Sequence, residues 1–233
     1  MKNNMRWCLV FMGLFIIQVL FSSSKLMHGN VYPFLAGVPM TVSAVTTSIY
    51  LMVWYLPIVA LGFYFTGFVK DSLSQYGVLL LVRQYSKWRW LLKRFLYLII
   101  VTGIFVSLQV AVHICFFRKG MQFSEAILVA VFFYFVTLIV LFSVQVTLEI
   151  VTDVQIAFLV VNIMAICSVL AMPSLMVMHA PKLVAYFLFT NLGMDYRRGE
   201  ISTMIETMLV LLAIEIVCIS IAMYKIKKID ILR

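Results

Sequence analysis

Residues 125–148 read EAILVAVFFYFVTLIVLFSVQVTL. Past Glu125 the stretch carries no charged side chain, and its polar groups are uncharged: Tyr134, Thr137, Ser143, Gln145 and Thr147. About 20 apolar residues suffice for a helix to cross the hydrocarbon core of a bilayer. The stretch therefore predicts a membrane-crossing helix, and the chain around it repeats the pattern. Hydrophobic residues make up 64% of the 233 and charged residues 12%, against roughly 45–50% and 25% in soluble domains. A core of this size could not hide so much apolar surface, so lipid must be the solvent for most of it.

Working outward, five more stretches satisfy the same length and polarity: 7–24, 49–69, 95–117, 153–175 and 204–224. The expected fold is an all-α integral membrane protein, a single six-span transmembrane domain over residues 1–233. The first span follows Lys2 and Arg6 and precedes Ser22–Ser24, a layout shared with signal peptides, but no A-x-A cleavage site follows. Between Lys25 and Lys70 there is no charged residue at all. Within that interval, 31–47 contains Pro33, Gly37 and Pro39 and reads as an outer loop or a shallow re-entrant segment. Irregular backbone is tolerated at such depth only where protein or water satisfies it. Pro57 predicts a kink in the second span, while Pro173 and Pro181 are expected to close the fifth. Residues 182–194 read as a short amphipathic outer helix, and DYRRGE (195–200) as a polar outer stretch.

Charge orients the spans. The formal net charge of +9 would suggest a nucleic-acid partner in a soluble protein; here it must first be placed relative to the bilayer, and no nucleic acid is expected. With both termini inside, the inner segments hold Lys2, Arg6, Lys70, Arg83, Lys87, Arg89, Lys93, Arg94, Lys225, Lys227, Lys228 and Arg233. The outer ones hold Lys25, Arg118, Lys119, Lys182, Arg197 and Arg198. The positive-inside rule thus predicts cytoplasmic N- and C-termini in a multi-pass membrane protein. Trp7, Trp54, Trp88 and Trp90 are expected mostly near the interfaces, as an aromatic belt.

Chemistry is sparse. Cys8, Cys115, Cys167 and Cys218 form no CxxC pair, and His28, His113 and His179 form no metal-spaced cluster, so no metal or cofactor is expected. HExxH, paired-Asp and Ser/His arrangements are missing, which argues against an intramembrane enzyme. Glu215 is the one ionisable residue deep in an expected span and forms a possible intramembrane polar site. A carboxyl at that depth must face protein or water, or be protonated. It either serves transport or bonds a neighbouring helix through Gln109, Gln145, Asn162 or Ser168.

The most informative segment is 70–94, KDSLSQYGVLLLVRQYSKWRWLLKR. Its ends are too polar to span and its middle, 78–82, is too apolar for an ordinary loop. A short amphipathic helix fits, with a cationic end in the cytoplasm; a basic surface loop that sets topology or attracts anionic lipid is the plainer alternative. The segment resembles the connection between spans two and three in type 2 permeases of ATP-binding cassette (ABC) exporters. The resemblance rests on Asp71, Gly77, Leu79–Leu81, Ser86, Lys87, Arg89 and Lys93; no Pro precedes Ser86, and Gln75 stands where an acid is usual. Six spans, a tight inner turn between spans four and five, and short outer helices before span six match the family's plan.

The resemblance implies that the segment is a coupling helix docking on an ATPase through Gly77, Arg83, Ser86, Lys87, Arg89 and Lys93. No GxxxxGK[ST] loop occurs, so ATP would be hydrolysed by a separate P-loop subunit. A second permease chain would face the first across the pathway, and the small size resembles peptide-export or bacteriocin-immunity permeases. Two alternatives stay open: a six-span solute-binding subunit of an energy-coupled importer, and a membrane immunity protein without transport.

Overall fold

The computed structural model describes residues 4–22, 32–40, 44–70, 87–116 and 125–228, and every regular element among them is helical. In chain order they are α1 (Asn4–Ser22), α2 (Pro33–Ala36), α3 (Ala44–Phe65), α4 (Lys87–Phe116), α5 (Glu125–Val151), α6 (Val154–Val177) and α7 (Lys182–Phe187). A 3-10 turn (Phe189–Gly193), α8 (Asp195–Ile201) and α9 (Met204–Lys228) complete the order. Five helices, α3, α4, α5, α6 and α9, are long and apolar enough to cross a membrane, as in a membrane-embedded protein. The apolar part of α1 is shorter, but the helix packs into the same bundle against α3 and α4.

The contacts fix the arrangement of the ends. Trp7 meets Tyr64, Arg94 meets Phe68, Lys70 reaches Asp153, and Lys87 shares a cleft with Lys227. The start of α1, end of α3, start of α4, α5–α6 turn and end of α9 therefore lie together, at what we term the basic end.

Helix α5 is the axis of the bundle. Half of its apolar window is buried, against 17% for α9, and it touches α3, α4, α6, α9 and the 3-10 turn. The cause lies in its polar residues, since hydroxyls and amides in a lipid-soluble helix are driven to face protein. Gln145 Nε2 donates to the Gly62 carbonyl on α3 at 3.0 Å, and Tyr134 Oη to Gln109 Oε1 on α4 at 3.2 Å. Ser143 Oγ donates to Glu215 Oε1 at 2.9 Å and Thr147 Oγ1 to the Cys218 carbonyl at 3.3 Å, both on α9.

Two internal prolines explain two further ties. Pro57 has no N–H, so the Val53 carbonyl one turn earlier loses its helical donor; Gln18 Nε2 on α1 supplies one at 3.0 Å. Pro173 does the same to Val169, and Arg197 Nη1 on α8 donates there at 2.7 Å. Helix α6 consequently runs on through Pro173 to Val177 instead of closing there.

At the other end the connecting segments dive inward. Tyr32, Phe34, Leu35, Ala36 and Val38 are buried, as are all five residues of the 3-10 turn. Phe34 packs on His113 and Tyr134, and a Cβ added to Gly193 would lie 2.9 Å from Thr137 Cβ. Thr137 is twelve residues into α5, about 18 Å along its axis. The 32–40 segment thus folds back into the bundle beside α4 and α5, as the re-entrant reading of the sequence expects and an outer loop would not. The stretch after α6 folds inward too. Within it only Lys182–Phe187 is an exposed helix, and the continuous helix expected over 182–194 breaks at Leu188. His113 is wholly buried between Tyr32 and Phe34, with Nδ1 2.8 Å from the Gln109 carbonyl. Trp54 and Trp90 are buried within the bundle as well, whereas Trp88 is 43% exposed.

Candidate functional site

Of the expected docking residues, Gly77, Arg83 and Ser86 lie outside the described residues, with the rest of 71–86. Lys87, Arg89 and Lys93 lie on the first two turns of α4. The last eight residues of the basic segment, Lys87–Arg94, run on into the third expected span as one helix of 30 residues, about 45 Å long. That exceeds a hydrocarbon core of roughly 30 Å by some ten residues.

Burial of one face holds the projecting turns in line. Trp90 and Leu91 are buried against the bundle. The Arg94 guanidinium stands 5.0 Å from the centre of the Phe68 ring and 5.3 Å from that of Trp90, a cation–π contact on two rings that holds its charge in place. Arg89 and Lys93, one turn apart, share an exposed face. Lys87 is half-buried and turns toward the end of α9.

Beside this helix the end of α3 is clasped to the α5–α6 turn. Gly67 sits at φ +76°, a left-handed conformation that glycine adopts without strain. Its N–H donates to Glu149 Oε1 at 3.0 Å, with Glu149 only 1% exposed. Lys70 Nζ lies 2.6 Å from Asp153 Oδ1 and donates to the Thr152 carbonyl at 3.3 Å. The hydrogen bond and charge of Lys70 hold the Asp153 carboxyl below its ordinary range. Tyr64 and Tyr97 join their hydroxyls at 2.8 Å, and Phe68 stacks on Tyr97. The basic end is thus a tied platform from which α4 projects.

Glu215 faces α5, as a carboxyl at that depth should. Its partner, however, is Ser143 and none of the four residues expected. Gln109 is engaged by Gln18 and Tyr134, Gln145 by Gly62, Asn162 by Tyr55, and Ser168 by Thr190 and Asn191. Glu215 Oε2 is buried with no hydrogen-bond partner among the described residues. Residue types chose the wrong partner because α5 rotates its Ser143 face, and not its Gln145 face, toward α9.

Sequence reasoning missed the site at the re-entrant end. Arg197, read as part of a polar outer stretch, is completely buried. Its Nη1 donates to the Val169 carbonyl and to Asn191 Oδ1, both at 2.7 Å, its Nε to the Val38 carbonyl and its Nη2 to the Pro39 carbonyl at 3.5 Å. It makes no ion pair among the described residues. Burial pushes its pKa down to about 10, so it remains a cation at neutral pH. Guanidinium carries five donors in a fixed fork, which suits it to serve carbonyls that no helix can. Arg198 is buried too, paired with Asp195 at 2.6 Å and 4.6 Å over the Phe133 ring. The available signal was Pro173: a proline inside an apolar helix requires a donor from elsewhere.

No group of three or more metal-ligating side chains occurs among the described residues. The chain is 31% identical over 242 residues to "Uncharacterized protein YybK" of Bacillus subtilis (strain 168), covering 95% of this chain and 96% of that one. No solved structure matches. A family model described as "Protein of unknown function (DUF2705)" matches residues 9–232, an extent that takes in both re-entrant segments and every long helix, and the chain therefore belongs to the DUF2705 family.

Proposed function

We propose that this protein is the membrane-spanning permease subunit of an ABC exporter, moving a hydrophobic or peptide-like substrate with ATP hydrolysed by a separate P-loop subunit. One observation carries the reading: the basic segment Lys87–Arg94 and the third span are a single helix. A push or pull on its projecting turns is transmitted straight into the bundle, which is what a coupling element needs. Arg89 and Lys93 present its outward charge, and the clasp of Gly67 and Lys70 to the α5–α6 turn gives the lever a firm base. On this reading α1 is the sixth span, both termini and the basic end are cytoplasmic, and a second permease chain completes the pathway in a bacterial cell membrane.

Tagged protein extracted from its native membrane in mild detergent should bring down a P-loop ATPase, identified by mass spectrometry. The Arg89→Glu/Lys93→Glu variant should insert normally and lose it, because removing one side of a desolvated charge pair costs about 2–5 kcal/mol. A wild-type protein that brings down no ATPase, or a reversed variant that keeps it, overturns the proposal. Sidedness has its own test in a cysteine-free background. Glu200→Cys, exposed beyond Arg198, should react with an impermeant thiol reagent in intact cells, and Lys227→Cys should not.

A further inference from the structure

We infer that the groove between α1 and α4 binds one membrane phospholipid, its phosphate on Arg94, an ester carbonyl on the Tyr64–Tyr97 pair and an acyl chain along α4. The groove is open on the outside of the bundle and has a volume of about 300 Å³. Trp7 and Phe11 wall it on one side, Tyr97, Ile104, Phe105 and Leu108 on the other. Among the described residues no charged side chain lines it. Leu108 is eleven residues beyond Tyr97 on α4, about 16 Å along the helix. That is the depth of one leaflet, half of a hydrocarbon core roughly 30 Å thick. Ile100 and Ile104 are more than half exposed along this run.

The polar groups gather at one end. Tyr64 and Tyr97 join their hydroxyls at 2.8 Å. Two hydroxyls carry two hydrogens and the bond between them uses one; the other has no acceptor among the described residues. One turn outward on α4 stands Arg94, held to the same corner because Phe68 touches both its guanidinium and the Tyr97 ring. The guanidinium meets the rings of Phe68 and Trp90, and neither ring offers it an oxygen. It has no carboxylate partner and no oxygen acceptor among the described residues. A guanidinium carries five N–H donors in a fork that matches phosphate. In a phospholipid the phosphate lies just outside the ester carbonyls and the acyl chains run inward from them. Arg94, the tyrosine pair and the apolar groove stand in that order. An apolar helix of a second copy would cover Ile100 and Ile104 but leave both sets of donors unanswered. A soluble phosphate would gain from Arg94 and nothing from Phe105 and Leu108, which is why the lipid is the occupant. The inference rests on α4 lying in the membrane and not on an ATPase partner, so it stands or falls separately from the transport proposal.

Native mass spectrometry of the detergent-purified full chain tests it, with phosphatidylglycerol and its ether-linked analogue, which lacks the ester carbonyls, as probes. The diester should saturate one site per chain, and the ether should bind about threefold more weakly for want of one hydrogen bond. In Tyr64→Phe/Tyr97→Phe the two probes should bind alike. Arg94→Gln should weaken both about fivefold or more, and Ile104→Trp, which fills the groove, should abolish the site. Leu159→Trp, on the exposed surface of α6, should bind as the wild type does. The ester–ether comparison uses the unaltered chain, so it holds whatever a variant does to folding. Equal binding of the two probes by the wild type, an unchanged affinity in Arg94→Gln, or equal losses in Ile104→Trp and Leu159→Trp would each overturn the assignment. So would displacement of the lipid by millimolar inorganic phosphate, or a dimer found in place of the lipid-bound chain.

Discussion

At the re-entrant end of the bundle Arg197 is sealed from solvent and spends its donors on the Val38, Pro39 and Val169 carbonyls and Asn191. At the basic end Arg89 and Lys93 stand exposed on projecting turns of α4, and the Lys70–Asp153 pair is open to solvent on both sides. One end uses a cation to replace missing backbone donors; the other displays cations on its surface. The difference follows from solvent. Water can satisfy a carbonyl at the basic end, but Val38 and Val169 are wholly buried and only protein reaches them. Stability should therefore concentrate at the re-entrant end and recognition at the basic end.

The strongest attempt to break that division is Arg197→Met. It strips three carbonyls and Asn191 of their donor, at about 1–3 kcal/mol for each buried group left unpaired. Thermal melting in detergent should show a loss of about 3 kcal/mol or more, and Arg197→Lys should recover only part, since an ammonium lacks the fork. If Arg197→Met melts like the wild type, the two ends do not differ as described.

Gly37→Ala comes next. Gly37 has φ +73°, and its new Cβ would lie 2.4 Å from Met194 Cγ and 2.6 Å from Met194 Cβ. Strain and overpacking together should cost about 1–3 kcal/mol. Because Met194 Cβ is part of the clash, Met194→Ala should fail to rescue the variant; a full rescue would show that the segment simply shifts.

Smaller effects sharpen the account inside the bundle. Gln18→Leu removes the donor to Val53, worth about 0.6 kcal/mol by analogy with other interhelical bonds in membranes. In a Pro57→Ala background the restored N–H should take over that carbonyl, so the cost of Gln18→Leu should fall; an additive cycle would mean that Gln18 matters only to Gln109. Glu215→Gln should melt like the wild type, whereas Glu215→Leu should lose a similar 0.6 kcal/mol or so with the Ser143 bond.

The smallest effect belongs to the basic end. The Asp153 carboxyl is held below its ordinary value of 3.8 by Lys70, so its contribution is present at neutral pH and is lost as pH falls below that value. The pair is solvent-exposed, and Lys70→Met should therefore leave the melting temperature at pH 7 within about one or two degrees. What difference there is should shrink on acidification. A large drop at pH 7 would mean that this clasp also bears stability, and would blur the division between the ends.

Apolar runs with few charges determined, before any folding, that the chain is helical and suited to a membrane, because length and polarity are local properties that lipid reads directly. The need at two carbonyls was also written locally: Pro57 and Pro173 deprive Val53 and Val169 of their helical donors wherever the helices pack. Who answers that need was decided only by the tertiary structure. Gln18 stands 35 residues from Val53 and Arg197 28 residues from Val169, and no spacing rule connects them. For the same reason a stretch as polar as DYRRGE reads as a surface loop, while the fold turns its first arginine inward to serve three carbonyls at once. The partner of Glu215 likewise depended on which face α5 offers α9, a rotation set by all the polar groups of α5 finding protein together.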